Sequence, residues 1–155
     1  MRLDDCVAFL TNKVAKELAD ELNRQLLTYG ITRSQWIAMY FIDKNESINQ
    51  KELADLVGAK ESTIAGILNR LENEGLIKRE ISLEDKRQKF IRLTELGQEK
   101  HKIYSEVAEN FKDKCVEDIE EEEIEIFVRV LGKMCSQFKT EDEEKDCFIA
   151  CHKVF

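Results

Sequence analysis

Residues 48–94 constrain this chain most: two short helical patterns meet at Val57-Gly58-Ala59, and two strand-like runs follow around the charged tip Glu84-Asp85-Lys86-Arg87. In residues 50–57, Leu53, Ala54, Leu56 and Val57 form one apolar stripe, and Gly58 can supply the positive φ with which helices often end. The second pattern places Ile64, Ile67, Leu68 and Leu71 at three- and four-residue spacing, which turns Lys60, Ser62, Thr63, Gly66, Asn69 and Arg70 to the opposite side. Two such helices around a tight corner make a helix-turn-helix. The outward face has the chemistry to read duplex DNA, since Ser and Thr bond phosphate or either base pair, Asn suits adenine and Arg suits guanine. An ordinary amphipathic helix with a solvated polar face has the same pattern.

Gly75 ends the second helix, and residues 76–81 and 89–93 read as an antiparallel pair by partial alternation and length. Residues 82–88 contain neither glycine nor proline, so the connection is a longer loop and not a two-residue turn. Asp85 stands two residues before Arg87, a spacing at which a carboxylate braces a guanidinium that extends into the narrow minor groove. Lys86 and Lys89 add positive charge beside it. The alternative for these residues is a solvated charge cluster that keeps a hairpin soluble.

Glu61-Ser62-Thr63-Ile64, residues 71–79 (LENEGLIKR), Asp85-Lys86-Arg87 and Leu93-Thr94-Glu95-Leu96-Gly97 occur in this order. Together they resemble the signature of the MarR family of bacterial winged helix-turn-helix regulators, over about residues 5–139. The resemblance implies a homodimer on a pseudo-palindromic operator, commonly a repressor released by a small effector. One departure stands out: after Ser62-Thr63 the chain has Ala65 and Gly66, which offer no side-chain donors. Glycine inside a helix costs about 0.5–1 kcal/mol against alanine, which points to close approach of the backbone to a phosphate or a thymine methyl.

The implied fold class is mainly α with a small antiparallel β-ribbon. A winged helix-turn-helix at residues 31–94 is flanked by helical dimerisation regions at 1–30 and 95–140, with a C-terminal extension at 141–155. The chain has 155 residues, 43% of them hydrophobic and none proline, enough for one folded core. No run reaches the length needed to cross a bilayer or serve as a signal peptide, so a cytoplasmic location is expected and no membrane partner. The net charge of −8 is at odds with DNA binding until it is located. Residues 51–92 carry nine cations and eight carboxylates, whereas residues 93–155 carry nine cations and seventeen carboxylates. Screening beyond about 8–10 Å confines the acidic repulsion to near neighbours, and a strong salt sensitivity follows.

Cys6, Leu10, Val14, Leu18, Leu22 and Leu26 mark one stripe in the first helix; Val107, Phe111, Cys115 and Ile119 mark another. Ile124, Phe127, Val128, Leu131, Met134, Cys135 and Phe138 form the densest. Helices so apolar need a partner surface, from a second copy or from an internal bundle. The acidic run at residues 118–123 reads as a helix junction and needs no metal. Thr32 caps a helix that carries Trp36 and Tyr40 on adjoining positions of one face. The resemblance places an effector cleft beside such a helix; plain core packing is the alternative.

Five cysteines without a secretion signal imply reduced thiols, with Cys115 and Cys135 as buried spacers. Cys6 invites a peroxide-sensing role through the resemblance, or packing through its stripe. Cys147 and Cys151 would stand one helical turn apart with the His152 imidazole adjacent, which reads as half of a zinc site, a redox pair or an ordinary added packing turn. No cofactor is required, no catalytic constellation is visible, and an enzyme is not expected. Two other readings remain open: a winged helix used for protein interaction or assembly, and a thiol- or metal-responsive regulator.

Overall fold

The computed structural model describes residues 6–81 and 89–137. They form α1 (Val7–Leu27), α2 (Arg33–Lys44), α3 (Gln50–Val57), α4 (Glu61–Asn73), β1 (Ile77–Ile81), β2 (Lys89–Leu93), α5 (Glu95–Val116) and α6 (Glu121–Ser136). The expected helical fold with one small antiparallel ribbon is what these residues adopt. The chain divides into two compact units, the first ending at Phe111 and the second beginning at Lys112, within α5.

Local chemistry sets the helix ends. Thr32 and Gln35 form a reciprocal capping box at α2, and Asn23 of α1 accepts a further bond from the Arg33 amide at 2.8 Å. Asn49 and Glu52 do the same for α3, which Gly58 stops at φ 69°. These caps satisfy amides that would otherwise stay unbonded at each corner of the helix-turn-helix.

The core of the first unit collects Leu22 and Leu26 from α1, Ala38, Met39 and Ile42 from α2, and Leu53 and Ala54 from α3. Ile64, Ile67, Leu68 and Leu71 of α4 join them, with Leu76, Ile77, Ile91 and Leu93 at the ribbon, Ile31 and Ile48 ahead of α2 and α3, and Tyr104 and Ala108 of α5. Each large apolar side chain so buried contributes about 1.5–3 kcal/mol. Leu56, expected on the same stripe as Leu53, is instead exposed. Leu53, Ala54 and Val57 centre the buried side of α3, and Leu56 lies roughly 100° round the helix from that centre.

The ribbon pairs Ile77 with Leu93 and Ile81 with Lys89. A single bridge that the sequence pattern does not reveal adds to it: the Ile91 amide donates to the Ile48 carbonyl at 2.9 Å, tying the approach to α3 onto β2. At its other end the ribbon runs into α5 through a tight junction. Thr94 donates its hydroxyl to the Gly75 carbonyl at 2.6 Å and accepts from the Gly97 amide at 3.0 Å. A Cβ on Gly97 would lie 1.9 Å from the Leu76 carbonyl oxygen, so only glycine fits. The Leu93-Thr94-Glu95-Leu96-Gly97 segment thus has a local physical reason.

The flanking stripes differ from a buried bundle. Leu22 and Leu26 of α1 are buried, but Val7, Phe9, Leu10, Val14 and Leu18 are exposed. In the second unit, α6 has no buried residue, and Ile126, Phe127 and Val130 are exposed. Cys135, expected as a buried spacer, is exposed, and Cys115 is half-buried.

His101 of α5 is buried, with Asp43 of α2 at 4.0 Å and Ser105 at 3.4 Å. Burial lowers its pKa from the usual 6.5, Asp43 opposes that shift, and Lys44 adds to it. Because the folded value is the lower one, the neutral ring is favoured on folding; that stability is complete above 6.5 and is lost as pH falls from there through the folded value. Chemical denaturation at about pH 7.5 and about pH 5.5 should show a smaller loss for His101→Gln than for the wild type. Leu71→Ala should cost about 2–5 kcal/mol; a loss under about 1 kcal/mol would contradict the placement of α4. Gly97→Ala should destabilise by about 1–3 kcal/mol or more as the Leu76 carbonyl is forced away, measured by urea titration.

Candidate nucleic-acid interface

The burial of Ile64, Ile67, Leu68 and Leu71 fixes which side of α4 faces out. Lys60, Ser62, Thr63, Gly66, Asn69 and Arg70 are all exposed, as the spacing requires. A Cβ on Gly66 would meet nothing within 4 Å, so no packing within the chain explains that glycine. Lys60 is the N-cap and makes no side-chain cap bond, leaving the first amides of α4 at the surface with the positive end of the helix dipole.

Beside α4 lies an open cleft of about 530 Å³, lined in part by Gln50 and Lys51 of α3, Glu61, Ala65 and Asn69 of α4, Arg79 of β1 and Lys89 of β2. Two residues proposed from sequence, Asn69 and Lys89, therefore meet in one concavity. Gln50, Lys51, Glu61 and Arg79 were not singled out by sequence reasoning. Arg79 had a readable signal: period two along β1 puts it on the same ribbon face as the buried Ile77. From there its guanidinium reaches Glu72 Oε2 and Asn69 Oδ1, each at 2.9 Å. On the other ribbon face Glu80 takes Lys78 at 2.6 Å and Arg92 at 3.2 Å. The Lys78 hydrogen bond, with the two nearby cations, holds the Glu80 carboxyl below the usual range.

Asp85, Lys86 and Arg87 lie outside the described residues, as do Cys147, Cys151 and His152. Among the described residues no group of three or more metal-ligating side chains occurs. Cys6 is the half-buried N-cap of α1. Trp36 and Tyr40 are brought together, their ring centroids 6.2 Å apart and tilted by 47°. Trp36 packs against the core, while Tyr40 is exposed with the Lys44 ammonium 5.8 Å from its ring. The Trp36 indole nitrogen is buried and has no hydrogen-bond partner among the described residues.

The MarR family model matches residues 31–89. The transcriptional regulator HosA of Escherichia coli O157:H7 is 30% identical over 104 residues, covering 67% of this chain and 77% of HosA. The chain belongs to the MarR family. Two solved structures share the fold: a Staphylococcus aureus MepR–DNA complex at TM-score 0.79 and 22% identity, covering 88% of this chain and 99% of that one, and CouR of Rhodococcus jostii RHA1 bound to p-coumaroyl-CoA at TM-score 0.78 and 22% identity, covering 91% and 99%. MarR proteins are transcriptional regulators and not enzymes, and this chain is a DNA-binding regulator of that kind. None of its described helices is long and apolar enough to cross a membrane.

If the outer face of α4 approaches DNA closely at Gly66, Gly66→Ala should raise folding stability by about 0.5–1 kcal/mol and still weaken DNA binding. Thermal melting and a duplex titration of the same preparation would read both effects. Unchanged binding would remove Gly66 from the DNA-facing surface.

Proposed function

We propose that two copies of this chain bind a pseudo-palindromic duplex and repress transcription until a small effector releases them. The carrying observation is the exposed polar face of α4 beside the cleft that contains Asn69, Arg79 and Lys89. In this reading Ser62, Thr63, Asn69 and Arg70 meet the major groove, Lys60 and Lys89 meet phosphates, and Arg87, braced by Asp85 and preceded on the chain by Lys86, enters the minor groove. The uncovered apolar residues of α1 and α6 support dimerisation, because exposed apolar residues gathered this densely on a helix call for a partner.

Trp36 supports the effector part of the reading. Its unbonded indole hydrogen would find an acceptor on a ligand, with Tyr40 as the neighbouring aromatic wall. CouR, a structural neighbour, is bound to p-coumaroyl-CoA in its crystal structure. A cytoplasmic location follows from a role on the chromosome.

Selection of bound duplexes from a random pool, using reduced protein at low salt, should enrich an inverted repeat with half-sites about one helical turn apart. On that duplex Arg87→Ala should lower the slope of log affinity against log salt by about one for each phosphate that Arg87 neutralises. An unchanged slope would remove Arg87 from the interface. Because Trp36 is the only tryptophan, effector binding at this site should change the intrinsic fluorescence, and a silent signal would place the effector elsewhere.

A further inference from the structure

The Arg79 bridge bears on what Asn69 can read. Resting on the DNA-binding reading above, we propose that Arg79 is a specificity-positioning residue that fixes the Asn69 amide as a donor, so that the base facing Asn69 is selected as guanine and against adenine. A guanidinium has N–H donors and no acceptor, so the Asn69 group that meets it at 2.9 Å must be the carbonyl oxygen. The second arm of the Arg79 fork is held by Glu72 at 2.9 Å, one turn further along α4, and this stops the guanidinium from swinging away. Asn69 therefore turns its NH₂ group, with two donors, away from Arg79.

Adenine presents N7 as an acceptor and N6 as a donor, and an asparagine reads it with both amide atoms. Here the amide oxygen already lies against a positive charge, so the N6 amino group would approach the guanidinium as it approached the oxygen. Guanine presents O6 and N7, two acceptors, which suit an outward NH₂ group and a guanidinium beside it. The place is accessible: Asn69 is exposed and lines the 530 Å³ cleft with Ala65, whose small side chain leaves room for a base edge. The usual pairing of asparagine with adenine is thus reversed by a side chain from the neighbouring strand.

The test repeats the random-duplex selection with the full chain as wild type, Asn69→Ala and Arg79→Met, each checked for folding by circular dichroism. The wild type should show guanine at one position of each half-site. Asn69→Ala should lose the preference at that position alone, and Arg79→Met should shift it towards adenine, changing the guanine-to-adenine affinity ratio on the order of tenfold. If Arg79→Met does not fold, Arg79→Lys serves, because an ammonium cannot hold Glu72 and Asn69 in the same fork, and a shift in the same direction is expected. An Asn69→Ala profile identical to the wild type would overturn the proposal. So would an Arg79 variant that weakens every duplex equally, the signature of a residue that meets only phosphate. No enrichment by the wild type would instead overturn the DNA-binding reading itself, and this proposal with it.

Discussion

The burial of Ile64, Leu68 and Leu71 beneath α4 is the constraint on which the rest depends. It decides which side of the helix is outward, and so which residues are available to a partner. The same three residues reach the core shared with α2, α3 and the ribbon, so the reader is fixed to its support through packing rather than through a loop. A recognition surface built this way is as rigid as the core beneath it.

Polar bonds then set the angle between helix and ribbon. Arg79 joins β1 to α4, the Ile48 bridge joins β2 to the start of α3, and the Thr94 hydroxyl locks the return of the chain into α5 through Gly75 and Gly97. Each ties one element to another where the packing alone would leave a sliding freedom. Within the first unit, the far end of the ribbon face that carries Arg79 presents Lys89 to the cleft. Of the carboxylates near the ribbon, Glu72 is paired with Arg79 and Glu80, on the other ribbon face, with Lys78, while Glu61 lines the cleft itself.

Much of this was legible in the sequence, because helical spacing and glycine stops are local signals. The spacing of Ile64, Ile67, Leu68 and Leu71 puts them inside, and the residue types of Gly58 and Thr32 mark a helix end and a helix start. Leu56 was misplaced because an eight-residue helix is too short for its buried centre to be found by counting. Cys135 was misplaced because an apolar stripe tells that a face wants covering and not what covers it. Strand alternation puts Arg79 on the helix side of the ribbon, but only its partner positions on α4, seven and ten residues away, reveal its role. The roles of Gly97 and Ile48 depend on atoms brought close by the fold, and no pattern in the chain announces a 1.9 Å conflict.

In the proposed complex α4 presents its polar face to the major groove while the ribbon follows the DNA backbone beside it. Guanine N7 atoms lie in that groove, and dimethyl sulfate methylates them wherever they are uncovered. Footprinting a selected duplex with this reagent is the most direct test. Protection of N7 in two tracts about one helical turn apart, on one face of the duplex, is the predicted result. Full reactivity at every guanine in a saturated complex would contradict it, because no helix would then occupy the groove.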